Sequence, residues 1–281
     1  TALESKLRKA KKTNTLPKVV IPVHFAGQSC DMESIATLAS HYGFRIIEDA
    51  SHAVGAKYDS SFVGSCEYSD ICVFSFHPVK IITTMEGGMA MTNNPALAES
   101  MRMGRSHGVT NAKESMTKPS HGPWYYQQVS LGYNYRMNDI EGALGISQVK
   151  KLSEFIGKRN AIAKNYDELF KSCPKIYPLI VNNRSYSSYH LYVIRVTNLN
   201  FVKKKELIES LRNEGILAHV HYIPIHTQPY YKALGFKCGD LPSAELYYQQ
   251  AITLPIFPSL KPSQVKFVAN KVKTLLDELE K

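Results

Sequence analysis

Phe74-Ser75-Phe76-His77-Pro78-Val79-Lys80 is the stretch on which the fold turns. Its first half is short, apolar and β-prone, as a strand covered on both faces of a parallel sheet should be. His77-Pro78 ends it, and Glu86-Gly87-Gly88 follows six residues after Lys80. Thirty-one residues upstream of Lys80 a second strand pattern closes in Ile46-Ile47-Glu48-Asp49-Ala50-Ser51-His52. Two parallel strands would thus end in an amine, a carboxylate and hydroxyls at the edge where open α/β sheets bind ligands. A lone Lys at a strand end is otherwise a solvated surface charge. An amine able to form a Schiff base, with an Asp for a pyridinium nitrogen, is the minimum equipment for pyridoxal phosphate chemistry.

The surrounding pattern supports an α/β reading. Lys18 to Phe25 is β-rich. Asp31 can cap a helix that carries Ile35, Leu38, Ala39 and Tyr42 on one stripe and stops at Gly43. Phe44 to Glu48, Asp70 to Phe76 and Gly88 to Asn93 read as strands, giving a mostly parallel sheet with helices on both faces. Gly104 to Tyr133 is too long and too rich in Gly, Pro, Ser and aromatics for a plain connector, and reads as a functional loop. A helix is expected from Asn138 to Glu154, continuing toward Phe170. Beyond it come a strand over Tyr189 to Thr197 and a helix over Lys203 to Glu214 that ends at Gly215. A terminal helix follows, with Val265, Val268, Val272, Leu275, Leu276 and Leu279 on one face. The expected division is a large domain over residues 1–155 and a small α+β domain over 156–281.

The 281 residues can bury a substantial core, and 44% hydrophobic with 21% charged residues is ordinary globular composition. The net charge of +10 suits anionic ligands. Lys6, Arg8, Lys9, Lys11 and Lys12 form a dense basic cluster without interleaved aromatics, so a solvated helix face is expected and no nucleic-acid partner. The five cysteines, Cys30, Cys66, Cys72, Cys173 and Cys238, are scattered and form no CxxC, which suits a reducing cytoplasm. No apolar run approaches a membrane span, and no signal peptide is visible.

A series of ordered motifs gives the chain a more specific likeness. Val23-His24-Phe25-Ala26-Gly27-Gln28, Glu48 to Ala56, Phe74 to Gly88, Gly104 to Gly108, Leu131 to Met137 and Val220 to His226 together resemble the DegT-type sugar-nucleotide aminotransferases. His77 to Lys80, Trp124-Tyr125-Tyr126 and the His221 loop look most like one subgroup, the UDP-4-amino-4,6-dideoxy-N-acetyl-β-L-altrosamine transaminases of pseudaminic acid synthesis. The resemblance implies an aspartate-aminotransferase-like fold of the type I pyridoxal phosphate class. The implied activity moves an amino group from L-glutamate to C4 of a UDP-linked 4-keto-6-deoxy sugar. It also implies pyridoxal 5′-phosphate as cofactor and a cytoplasmic homodimer with shared active sites. A relative acting on another keto sugar, or a non-catalytic piece that only dimerises, are the alternatives.

Carried over residue by residue, the resemblance makes Lys80 the residue that holds the cofactor and shuttles the proton, and Asp49 the partner of the pyridine nitrogen. Some relatives carry His in place of this Lys and deoxygenate, so Lys80 favours transamination. His52 would touch the cofactor's phenolic oxygen and Ser75 its phosphate. Asn134 would reach a partner's cofactor phosphate, and Arg136 would grip the donor's carboxylate, which suits the bidentate guanidinium. His221, Tyr222 and His226 match the sugar-nucleotide loop. Each has a plainer reading: a helix cap for Asp49, a packed histidine for His52, a core hydroxyl for Ser75, an interface ion pair for Arg136. Glu48 should point away from Asp49 and stays outside the site. His219, His221 and His226 could in principle gather a zinc ion, but their segment offers no fourth ligand, so no metal is expected. Trp124, Tyr125 and Tyr126 could stack on a sugar or base, or sit in a core.

The family pattern also has an opening quarter, with a Gly-Thr pair at a phosphate-binding helix start, that has no counterpart upstream of Val19. The chain is therefore expected to be an N-terminally shortened piece. Alone, it should be poorly soluble and bind the cofactor weakly.

Overall fold

A computed structural model describes residues 1–279, which form two compact units. The first comprises Thr1–Phe25 and Ser29–Leu152; the second takes Ala26–Gln28 and the chain from Ser153 onward.

The first unit is built on four strands in the order Val19–Val20, Arg45–Asp49, Ile71–Ser75, Gly88–Met91. The first three are parallel, with Val19 opposite Arg45 and Asp49 opposite Val73. Gly88–Met91 returns antiparallel, Ser75 facing Gly88. This return needs its glycines. Gly87 has φ +144°, and a Cβ on Gly88 would lie 2.7 Å from the Phe74 carbonyl oxygen. The helix Met32–Tyr42 starts where the Asp31 side chain accepts the Ser34 N–H and stops at Gly43, which has φ +78°. Its Ile35, Leu38, Ala39 and Tyr42 pack with Leu7, Phe44, Ile46 and Tyr58. The basic N-terminal helix Ala2–Lys12 joins the same cluster through Leu3 and Leu7, leaving its lysines in solvent.

Three expectations need correcting. The strand drawn over residues 18–25 is only Val19–Val20 plus a bridge from Val23 to Asp49, because Pro22 has no N–H to continue the ladder and Phe25–Gly27 turns into a 3₁₀ helix. The Ile71–Ser75 strand is covered on one face: Cys72 and Phe74 are buried, whereas Val73, on the other face and paired with exposed Ala90, is 37% exposed. Apolar residues on both faces therefore do not mean burial on both faces here. The helix drawn from 138 through 170 is two helices, Asp139–Val149 and Leu152–Phe170, parted by a turn in which the Lys151 N–H bonds back to Gln148.

The second unit packs helices Leu152–Phe170, Phe201–Asn213 and Pro262–Glu278 with an antiparallel sheet ordered Ala251–Leu254, Tyr192–Val196, Ile176–Pro178. The terminal helix buries Val265, Val268, Ala269, Val272 and Leu276, the stripe its sequence period marks out. The Phe201–Asn213 helix begins two residues before its expected start because Asn200 accepts the Lys203 N–H at 2.8 Å.

This unit also buries a cation. The Lys204 ammonium donates to the Tyr248 carbonyl and lies 4.5 Å from that residue's ring centre. Burial holds its pKa down to about 8. An unfolded lysine titrates near about 10.4, so between these pH values the unfolded chain holds a proton that the folded chain has released. Lys204 therefore makes stability rise with pH from about 8 to about 10. Lys204→Met should abolish that rise. Denaturant midpoints of both proteins at pH 7.5 and 9.5 measure it, and a rise shared equally by the variant would assign it to another group.

Candidate active site

Asp49 and Ser75 close two adjacent parallel strands, so their side chains leave the sheet at one edge. The Asp49 backbone is fixed on both sides: its N–H donates to Pro22 at 2.9 Å, and its carbonyl accepts the His24 N–H at 3.0 Å. Its Oδ1 accepts the Ser51 N–H at 3.0 Å, which orients the carboxylate against the turn that follows. That turn buries Ala50 and Ala53 completely and places the buried His52 ring 5.9 Å from the ring of Phe25.

Lys80 sits on the loop after Ser75. Its N–H donates to His77, and the Thr84 and Phe76 N–H groups close the loop against Phe76 and Gly87. The amine is half-buried, and burial lowers its pKa while the negative charge of Asp49 opposes the shift. The two groups therefore lie in each other's field, and burial prevails. An amine intended to act as a nucleophile and base needs that direction, and here it comes from burial rather than from a neighbouring cation. The half-buried Ser75 hydroxyl accepts the His77 N–H at 3.5 Å, a long bond that leaves it capacity for a ligand.

Asn134 and Arg136 belong to the same unit and are exposed. Asn134 bridges to Ser106, and Tyr133 and Tyr135 stack at 4.9 Å beside it. Arg136 lines an open concavity of about 550 Å³ with Ser106, His107, Val109, Asn111 and Tyr126. Trp124 is 76% exposed, so it is not a core aromatic of the described residues.

The remaining expected residues lie in the second unit. His221 shares a 2.9 Å hydrogen bond between Nδ1 and the Thr253 hydroxyl, and its carbonyl accepts the Tyr247 O–H at 3.1 Å. Tyr222, joined to it by a cis peptide, is half exposed. His226 is buried, with Nε2 at 2.7 Å from Glu245 Oε1, and that hydrogen bond lowers the Glu245 pKa. His226 thus faces Glu245 within its own unit. His219 pairs through its backbone with Thr253. Among the described residues no group of three or more His, Cys, Asp or Glu side chains is placed to hold a metal ion.

The sequence reading missed what stands behind Asp49. Glu48 does point to the other face, but it is buried there and hydrogen-bonded to His24 and Ser69. The one available signal was a histidine in Val23-His24-Phe25, in a segment otherwise assigned to a plain strand.

The sequence profile of the DegT/DnrJ/EryC1/StrS aminotransferase family matches residues 3–273. The chain belongs to that family. It is 38% identical over 264 residues to the UDP-4-amino-4,6-dideoxy-N-acetyl-beta-L-altrosamine transaminase of Helicobacter pylori, covering 93% of the chain and 67% of the relative. Among solved structures it is similar to Helicobacter pylori PseC, an aminotransferase of pseudoaminic acid biosynthesis, with TM-score 0.86, 36% identity, and 94% and 68% of the two chains covered. It is also similar to the pyridoxal phosphate form of a putative sugar aminotransferase from Streptococcus pneumoniae, with TM-score 0.82, 30% identity, and coverage of 93% and 69%. These likenesses give the aminotransferase its fold type, that of the type I pyridoxal phosphate enzymes.

The first unit's donor set fits pyridoxal phosphate: an amine with its pKa lowered, a carboxylate in its field, and a hydroxyl at the next strand end. No helix among the described residues is long and apolar enough to cross a membrane.

Proposed function

We propose that this aminotransferase moves an amino group from L-glutamate to C4 of a UDP-linked 4-keto-6-deoxy-N-acetylhexosamine, with pyridoxal 5′-phosphate as cofactor. The observation that carries the reading is the pair of Asp49, at a strand end, and Lys80, on the loop that follows the neighbouring strand, the amine's pKa lowered by burial against the pull of the carboxylate. The 38% identity to the Helicobacter pylori transaminase supports the choice of sugar.

Bound pyridoxal phosphate supplies an electron sink that lets the C–H bond beside the transferred nitrogen ionise. Lys80 would hold the cofactor through its Nζ and, once released, would take the proton from the donor's α-carbon and return it to the carbon on the other side of the transferred nitrogen. Its lowered pKa keeps a larger share of the amine unprotonated for both tasks. Asp49 would face the ring nitrogen, where the negative charge of a carboxylate favours a positively charged ring. Ser75 would hold the phosphate through its hydroxyl, and His52 would touch the ring's oxygen substituent. Arg136 takes the glutamate carboxylate by two parallel N–H bonds, for which its exposed position beside the concavity is suited. Asn134 serves the partner subunit's phosphate in a homodimer. His221 and Tyr222 contact the sugar nucleotide, with His226 and Glu245 holding their loop. Cytoplasmic placement follows the reading of a nucleotide-sugar enzyme with five free thiols.

The test supplies ¹⁵N-labelled L-glutamate and the UDP-4-keto sugar to the purified protein. The expected outcome is a ¹⁵N-amino sugar nucleotide and one equivalent of 2-oxoglutarate. Amino transfer to another keto sugar with the UDP-4-keto sugar left untouched would overturn the substrate, and consumption of no amino donor at all would overturn the reaction.

A further inference from the structure

Glu48 precedes Asp49 on one strand and leaves from the opposite face, so a force on one sets the pleat beneath the other. The Cys30 N–H donates to His24 Nδ1 at 3.1 Å, so that nitrogen carries the lone pair and the ring proton sits on Nε2. The Nε2–H then donates to Glu48 Oε2 at 2.5 Å, while the Ser69 hydroxyl donates to Oε1. Each oxygen of this buried side chain has its own donor, one from the segment before the Met32–Tyr42 helix and one from the loop before the Ile71–Ser75 strand. His24 also grips Asp49 directly: its backbone N–H donates to the Asp49 carbonyl, and Pro22, two residues earlier, accepts the Asp49 N–H. One short segment therefore holds Glu48 by a side chain and Asp49 by the backbone. The next residue, Phe25, lies against the ring of His52.

We propose that His24 and Glu48 are positioning residues: a buried clamp that fixes the height and direction of the Asp49 carboxylate toward the cofactor's ring nitrogen. This rests on the reading of Asp49 given above. The clamp works by span. Glu48 must reach two donors at once, whereas its charge is not what Asp49 requires. An amide of the same length can accept from His24 Nε2–H and donate to the Ser69 oxygen. A carboxylate one methylene shorter cannot hold both.

Glu48→Asp and Glu48→Gln separate length from charge. Pyridoxal phosphate is titrated into each cofactor-free protein by its visible absorbance, kcat and KM for glutamate are measured, and the melting temperature of each cofactor-free protein is recorded. Glu48→Asp should bind the cofactor about tenfold more weakly and lose kcat at an unchanged glutamate KM, since tenfold is the loss of about one well-made hydrogen bond. Glu48→Gln should stay within about threefold of wild type in both. A lowered melting temperature with wild-type cofactor affinity in Glu48→Asp would make the network purely structural and overturn the clamp, as would equal losses in both variants. If Glu48→Asp does not fold, Ser69→Ala carries the test, with cofactor affinity about threefold weaker expected and unchanged affinity overturning the proposal. Lys80→Ala is run in parallel. If it keeps the absorbance of lysine-linked cofactor, the reading of the site fails and the clamp with it. If it loses that absorbance while Glu48→Asp binds as wild type does, the clamp alone fails.

Discussion

Lys80→Ala should lower turnover by about 10⁴-fold, the upper end of what one positioned proton-transfer group contributes, and should remove the visible absorbance of lysine-linked cofactor. Both effects come from one atom. The Nζ of Lys80 is the amine whose pKa burial lowers, on the loop that leaves the edge where the parallel strands end. The fold should survive the change, because Lys80 is half-buried on a loop held by other groups, the Thr83 and Thr84 hydroxyls and the backbone among them. The absorption spectrum after pyridoxal phosphate is added, together with single-turnover rates, measures both. Near-wild-type turnover in the variant would return Lys80 to the role of a surface charge.

Asp49→Asn should slow proton abstraction by about 10²–10³-fold, the range found when one preorganised electrostatic group is removed from a site. The variant retains a side chain of the same size with an oxygen to accept the Ser51 N–H, so the strand end should keep its shape. What it loses is the negative charge. Because Asp49 raises the Lys80 pKa against the effect of burial, its neutralisation should also move the Lys80 amine further down in the cofactor-free protein. The kinetic effect is read from the deuterium-sensitive step with α-deuterated glutamate. An unchanged rate would leave Asp49 as a structural group that anchors the turn to Ser51.

The placement of these two residues was legible because strand ends are. Apolar runs stopping at Asp49 and at His77-Pro78 put a carboxylate and an amine at one sheet edge, and the return strand needs glycine at 87 for its positive φ and at 88 for its close approach to Phe74. The Asp31 and Gly43 boundaries of one helix were equally plain, since capping is local. What resisted reading depends on distant partners. Val73 has the same apolar character as its buried neighbours, and only the finished sheet shows which face is covered. Pro22 ended a strand that its flanking valines and isoleucine would otherwise have extended. Glu48 was seen to face away from Asp49, but its bonds to His24, 24 residues away, and to Ser69, 21 residues away, are facts of folding that no local pattern carries. The partner of His226, Glu245, lies on a later helix, 19 residues on, and was equally out of reach.

The central claim is that Lys80 is the amine that bonds the cofactor. Lys204 is the rival within the chain, since burial also lowers its pKa. Borohydride added to the pyridoxal phosphate-loaded protein fixes the carbon–nitrogen bond between cofactor and lysine, and peptide mass spectrometry then locates the pyridoxyl group. The account predicts one modified peptide, the one containing Lys80. A pyridoxyl group on Lys204 or any other lysine, with Lys80 unmodified, would contradict it.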